Sequence, residues 1–190
     1  MNVEDAIFGR RSAREYSNQA VDEATILRLI DAAVQAPSAV NEQPWDFSVV
    51  RDQGLLANVS RDAKAHMAAT MPKDRVAVGT ASHFRALLGD PAFQIFHNAP
   101  VLILISGGTP GSWIVEDCAL AAENLMLMAY SLGLGSCWIG FAQRYLSTPE
   151  GKRALGLPPA CVPVAPIIVG YPSAPPTAVT RNEPKVRWVG

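Results

Sequence analysis

Cysteine and histidine are scarce in this 190-residue sequence, with three of each. Cys118, Cys137 and Cys161 are odd in number and widely spaced, no CxxC occurs, and His66, His83 and His97 stand at no metal-ligand spacing from them. That argues against a disulfide framework and against a zinc site, and leaves the cysteines as core residues. An excess of either charge is also missing: 16 Lys and Arg face 17 Asp and Glu, for a formal net charge of -1. Without a basic run, nucleic acid and acidic membrane surfaces are poor partners. No apolar stretch approaches the ~20 residues that span a bilayer. The start, MNVEDAIFG, carries acidic residues where a signal peptide carries basic ones. A soluble, cytoplasmic protein is the expectation. Several catalytic signatures are absent as well. There is no GxSxG, HExxH or Walker A motif, and the glycine pair of GLGSCW follows a helical pattern where a dinucleotide fingerprint must follow a strand.

What is present fits one domain over residues 1–190, with 49% hydrophobic residues. Asn2 is placed to cap a short helix through Phe8. Asp22 is placed to cap a second, with Ile26, Leu27, Ile30, Ala33 and Val34 on one face. Trp45–Arg51 alternates as a strand, and Leu55 to about Met71 reads as helix. From Pro72 to Asn98 the pattern is weak, with Phe84, Phe93 and Phe96 among Gly and Pro; a stretch of that kind suits a lid, although packing is the ordinary fate of each ring. Pro100–Ser106 and Pro163–Gly170 are continuous apolar runs, as in strands buried on both faces.

Ser112 is expected to start the longest helix, Trp113–Leu132, with Gly133 as its stop. Its few polar residues, Glu116, Asp117, Glu123 and Asn124, repeat seven apart and so define a narrow stripe on an otherwise apolar cylinder. Such a helix is buried nearly all round, at a subunit interface or under its own sheet. Gly135–Phe141 is a glycine-bounded strand or loop. Thr148 and Pro149 open a helix that Gly156 closes. The proline-rich end, YPSAPPTAVTRNEPKVRWVG, is expected to drape over a surface of the body or of a partner subunit. These elements make an α+β fold, a mixed sheet with helices on both sides.

Two segments carry chemistry. APSAVNEQPW (36–45) lies between a helix and a strand: Pro37 stops the helix, Ser38 and Ala39 leave the backbone uncluttered, and Asn41 and Gln43 offer planar amides. It suits the polar edge of a flat heteroaromatic ring, and equally an ordinary capped turn. Arg10, Arg11, Ser12 and Arg14 concentrate guanidinium groups that an anionic phosphate would neutralise; Arg10 and Arg14 share a face if the segment is helical. A solvated basic helix end is the alternative. Arg181, Lys185 and Arg187 form a second basic group in the tail.

Taken in order, RRSAREY, APSAVNEQPW, GLGSCWIGF and GYP, followed by a tail with Arg181, resemble the FMN-dependent nitroreductase family over nearly the whole chain, the region from about Leu55 to Gln94 excepted. The resemblance implies an α+β homodimer with a mixed, mainly antiparallel central sheet flanked by helices, an extended C-terminal tail, and two flavins between the subunits. It implies that Arg10, Arg11, Ser12 and Arg14 hold the phosphate, ribityl chain and pyrimidine edge of FMN. Pro37, Ser38 and Ala39 then line the ring and Asn41 bonds its pyrimidine side. The backbone at Ile139 and Gly140 approaches N5, and Arg181 reaches the phosphate. Some members carry an acidic residue where this chain has Ile139, a departure that bears on substrate choice. Trp138 beside it either stacks on substrate or packs in the core.

The implied activity is reduction of flat, electron-poor small molecules, nitroaromatics or quinones, with NADH or NADPH as donor in a ping-pong mechanism, the flavin carrying the chemistry. No protein nucleophile and no metal is expected. Two alternatives stand beside it: another flavin reaction on the same scaffold, such as dehalogenation, dehydrogenation or flavin breakdown, and a non-catalytic binder of flavin or another phosphate ligand.

Overall fold

The computed structural model describes residues 1–70, 86–109, 111–175 and 177–190. His83 and Phe84 lie outside these residues. Local signals set most helices where the sequence placed them; the exception is Gly140–Leu146, a helix that begins inside the segment expected as strand or loop, whose strand ends at Trp138. Helix α1 (Val3–Gly9) begins with a capping box in which Asn2 and Asp5 each accept the other's backbone N–H. Helix α2 (Glu23–Ala33) is capped by Asp22, whose side chain accepts from Thr25 N–H. Strand β1 (Trp45–Val50) and helix α3 (Gln53–Thr70) follow.

Strand β2 (Val101–Gly107) leads to the 18-residue helix α4 (Ile114–Ser131). The expected cap at Ser112 is not made: Trp113 holds the cap position, and no side chain bonds the first turn. Gly133, at φ 76°, ends the helix in the left-handed conformation a glycine adopts without strain. Strand β3 (Gly135–Trp138), helices α5 (Gly140–Leu146) and α6 (Pro149–Ala154), and strand β4 (Val162–Gly170) complete the described elements. Thr148 caps α6 through Gly151 N–H, as its Thr-Pro start demands.

The sheet order is β1-β2-β4-β3, antiparallel at every pairing of these strands. Central β2 is buried along its whole length, which accounts for its continuous apolar sequence. Its side chains alternate between two cores. Ile103 and Ile105 join Ile167 and Val169 of β4 against α2 and α4; Leu102 and Leu104 join Ile168 against α3 and α5. All three cysteines are free and buried, and burial, with Asp117 beside it, pushes the Cys118 thiol up to about 12.

Two expectations change. The chain leaves the helix at Gly9, so Arg10–Arg14 is not helical and those two arginines share no helical face. The stripe on α4 divides: Glu116 is exposed, whereas Asp117 is buried and Asn124 donates to Ala32 O beneath the helix. Described tail residues from Ser173 onward are exposed, and the first of them lie along the chain's own body: Ser173 N–H donates to Glu15 O, and Ala174, Pro175 and Thr177 face the Ser12–Glu15 segment. Phe96 is buried, so packing is its role, and Phe93 and Trp138 pack at the rims of the cores. No described helix is long and apolar enough to cross a membrane.

Candidate functional site

The arginine segment is built onto the β3 edge of the sheet. Ser12 pairs in parallel with Ser136, and Ala13 N–H donates to Ser136 O at 3.0 Å. Farther on, Tyr16 bridges Pro172, Ser17 N–H donates to Tyr171 O and Ser173 N–H donates to Glu15 O. The segment is thus held by two isolated bridges and their neighbouring hydrogen bonds, between β3 and the chain leaving β4. It can lie so close because the sheet carries glycine there. Gly135 and Gly170 face each other across β3 and β4. A Cβ on Gly135 would meet Ala13 Cβ at 2.5 Å, and one on Gly170 would meet Tyr16 Cδ1 at 2.8 Å. Tyr16 fills that notch, and its hydroxyl donates to Ala13 O at 2.8 Å. Burial drives the phenol's pKa far upward, so the hydroxyl stays protonated as a donor.

The four polar residues of the segment do different things. Arg11 Nη1 donates to Phe8 O and Arg10 O, at 2.7 and 2.6 Å, and so caps the end of α1. Arg10 Nε lies 3.4 Å from Glu123 Oε1, within ion-pair range but outside hydrogen-bond geometry, and the nitrogen is otherwise buried without a partner. Arg14 is exposed and forms no ion pair with any described residue; Ser12 is exposed beside it. Ser12–Glu15 form one wall of a cleft of about 290 Å³ whose other wall is Ala174, Pro175 and Thr177. His97 is near enough for Arg14 to disfavour its charged form, second to burial, and its pKa is lowered.

β3 runs directly into Ile139 and Gly140, which puts both at the same sheet edge as the arginines. Ile139 N–H is already taken by Pro166 O at 2.8 Å and its side chain is buried. Gly140 is exposed, and a Cβ there would meet no described atom within 4 Å, so the described residues leave this corner uncovered.

The second predicted segment lies elsewhere. After α2 the chain forms a single 3-10 turn, Ala39–Asn41, and enters β1. Val40, Asn41 and Gln43 have φ of 45°, 59° and 49°, the left-handed region that costs a β-branched residue such as valine most. The turn is held from within by Gln43 N–H on Ser38 Oγ and Gln43 Nε2 on Asn41 Oδ1, both at 3.0 Å. Ser38 holds the cap position of the turn, but its hydroxyl is occupied by Gln43, and Ala39 N–H donates instead to Asp117 Oδ1 of α4 at 3.0 Å. Pro37 and Asn41 are exposed. Next to the turn opens a cleft of about 730 Å³, lined by Ala39, Val40, Pro44, Thr109 and Trp113.

The two segments do not meet within one chain. β1 and β3 are the opposite edges of the sheet, three strand spacings or ~14 Å apart. They are also offset along it. Trp45 lies level with Gly107 and Val162, whereas Ser136 lies level with Val169, seven residues or ~24 Å farther along β4. That is farther than the ring system of one flavin can bridge. Arg181 is exposed in the tail and makes no hydrogen bond or ion pair with the Arg10–Arg14 segment.

Three residues escaped the sequence reading: Asp117, which holds the turn; Glu123, which faces Arg10; and Tyr16, which wedges the arginine segment in place. A buried acid in an otherwise apolar helix was the available signal for Asp117. Among the described residues no group of His, Cys, Asp and Glu is placed to hold a metal.

The comparisons agree with this architecture. The model of the nitroreductase family matches residues 7–171. A Methanothermobacter thermautotrophicus protein, provisionally named NADH dehydrogenase/NAD(P)H nitroreductase, is 33% identical over 181 residues, covering 93% of this chain and 80% of its own length. An iodotyrosine deiodinase from Haliscomenobacter hydrossis is 27% identical over 178 residues, covering 86% and 76%. Among solved structures, a Bacteroides fragilis nitroreductase with bound FMN superposes with a TM-score of 0.85 over 100% of both chains, at 26% identity. By the extent of these matches, the chain belongs to the nitroreductase family.

Proposed function

We propose that the chain is a single FMN-binding domain over residues 1–190 that works as a cytoplasmic homodimer, reducing flat, electron-poor small molecules with NADH or NADPH. The observation that carries this is the guanidinium arrangement on the β3 edge. Among the described residues Arg14 has no acidic partner and Arg10 only a long, misaligned one, so the residues present fit an anionic phosphate ester. The FMN bound by the Bacteroides fragilis structure supports the choice of anion.

Bound FMN would supply the ring that takes up and passes on electrons. Arg10, Ser12 and Arg14 would hold its phosphate, ribityl chain and pyrimidine edge, with Arg14 placed to stabilise negative charge at that edge. Gly140 leaves the ring's face open to a ligand. Pro37, Ser38, Ala39 and Asn41 would come from the partner copy, because in their own chain they stand at the far edge of the sheet. Exposed Val115 and Leu120 on α4, and Ile7 and Phe8 on α1, give that copy an apolar surface to cover. Donor and acceptor would use one cleft in turn, which gives ping-pong kinetics. Nitroaromatics and quinones are the acceptor class. The deiodinase relative supports a second reading, reductive dehalogenation on the same scaffold.

The test is the visible spectrum of the purified protein. A yellow chromophore that bleaches within seconds of adding NADH or NADPH without oxygen, and returns when a quinone is added, is the expected result. Persistent colour indicates a binder, and a chain that stays colourless when incubated with FMN defeats the reading. Arg10→Ala should weaken FMN binding by about 1.5–3 kcal/mol, the effect of truncating a charge-assisted hydrogen bond. Asn41→Ala should weaken it less, because Asn41 Oδ1 is already bonded to Gln43. Fluorescence titration of FMN against each variant measures both.

A further inference from the structure

Asp117 is 3% exposed, in the first turn of α4, with one carboxylate oxygen on Ala39 N–H and the other buried without a partner. A buried carboxylate with an unsatisfied oxygen is costly, and an apolar side chain in its place would often be at least as stable. The positive end of the helix makes a negative charge tolerable there, but Glu116 meets that preference from the surface. Neither stability nor the helix dipole explains why this carboxylate points inward at a backbone amide 78 residues away.

The turn it touches supplies the reason. Three of its residues are held in left-handed conformations, and exposed Val40 recovers no burial for that strain within its own chain. The turn's first N–H has lost its local cap, since Ser38 Oγ accepts from Gln43. The Asp117 carboxylate ties the Ala39 amide to the rigid helix. We infer that Asp117 is a positioning residue: its carboxylate fixes the 38–43 turn in the one shape that lines a flavin bound with the partner copy. The inference rests on the flavin reading above. Asp117 itself touches no ligand; it acts through Ala39.

The test is a double-mutant cycle on the full-length protein with FMN as probe, run at a temperature where circular dichroism shows each variant folded. Asp117→Ala removes the acceptor. Ala39→Pro removes the donor at the first position of a 3-10 turn, after a residue already extended at φ -135°, ψ 155°, where proline is tolerated. Each is expected to raise the FMN Kd about tenfold or more, and the double variant no more than the worse single, because both delete one interaction. Asp117→Asn keeps an oxygen for Ala39 and should stay within about threefold of the wild type. Hydrogen exchange should quicken at the turn in Asp117→Ala and not in Asp117→Asn. Asp117→Ala binding FMN as the wild type does, additive losses in the double variant, or no rescue by Asn would each overturn the assignment. A wild type that binds no FMN overturns the flavin reading and this inference together, an outcome the variants alone cannot produce.

Discussion

Two variants that are each inactive regain activity when they are combined in one dimer. Arg14→Ala strips the β3-edge segment of a guanidinium that has no ion-pair partner among the described residues, and Ala39→Trp fills the space beside the 38–43 turn at the other edge. Each homodimer then carries the same defect in both of its sites. In a mixed dimer, one site draws its arginine segment from the Ala39→Trp chain and its turn from the Arg14→Ala chain, so both parts are intact, and the other site carries both defects. Random pairing makes about half of the dimers mixed, and each has one sound site, so roughly a quarter of wild-type FMN-dependent turnover should return. The prediction rests on the proposed flavin-binding homodimer together with the sheet order. With β1 and β3 as opposite edges, offset by seven residues along β4, one flavin cannot use both segments of one chain. Co-expression with two affinity tags, followed by NADH-dependent quinone reduction, measures the recovery. Activity equal to the mean of the two homodimers would mean that each chain completes its own site.

How much of this was legible in the sequence depends on the range of the interaction. The caps at Asn2, Asp22 and Thr148 and the stop at Gly133 act within four residues, and each appears where its local pattern puts it. The apolar runs that became β2 and β4 were readable for a similar reason: a strand covered on both faces shows it in every residue. The site was legible as segments but not as atoms. Arg11 looks like a phosphate ligand and caps α1. Ser38 looks like an uncluttered residue beside a ring, and its hydroxyl accepts from Gln43 N–H. Asp117 looks like one member of a narrow polar stripe and lies buried on Ala39. In each case the deciding partner is set by a tertiary contact or an unusual φ, neither of which leaves a periodic trace. The spacing of Arg10 and Arg14 failed for a different reason. Four residues mean one face only in a helix, and pairing with Ser136 draws this segment into extended form.

That pairing also identifies the position where one side chain does the most damage. Gly135→Val should abolish FMN retention, with Kd raised about a hundredfold, the scale of loss that a 1 Å misplacement brings to a positioned site. The cause is steric. A Cβ at Gly135 would stand 2.5 Å from Ala13 Cβ, with Tyr16 and Pro172 behind it at 3.5 and 3.6 Å. Opposite, Gly170 is closed in by Tyr16 and Pro100, so the notch cannot widen toward β4. The extended segment must therefore move outward, breaking the Ala13–Ser136 hydrogen bond and carrying Arg10, Ser12 and Arg14 away from Gly140. Overpacking of this kind costs about 1–3 kcal/mol of stability, too little to unfold an ordinary domain. The loss of FMN should accordingly appear in a chain that still folds, with its urea midpoint lowered and its far-ultraviolet spectrum unchanged. Gly89→Val is the control, since a Cβ there meets nothing within 4 Å. Full FMN retention in Gly135→Val would show that the arginine segment holds its place without the notch, and that the β3 edge is not what aims it.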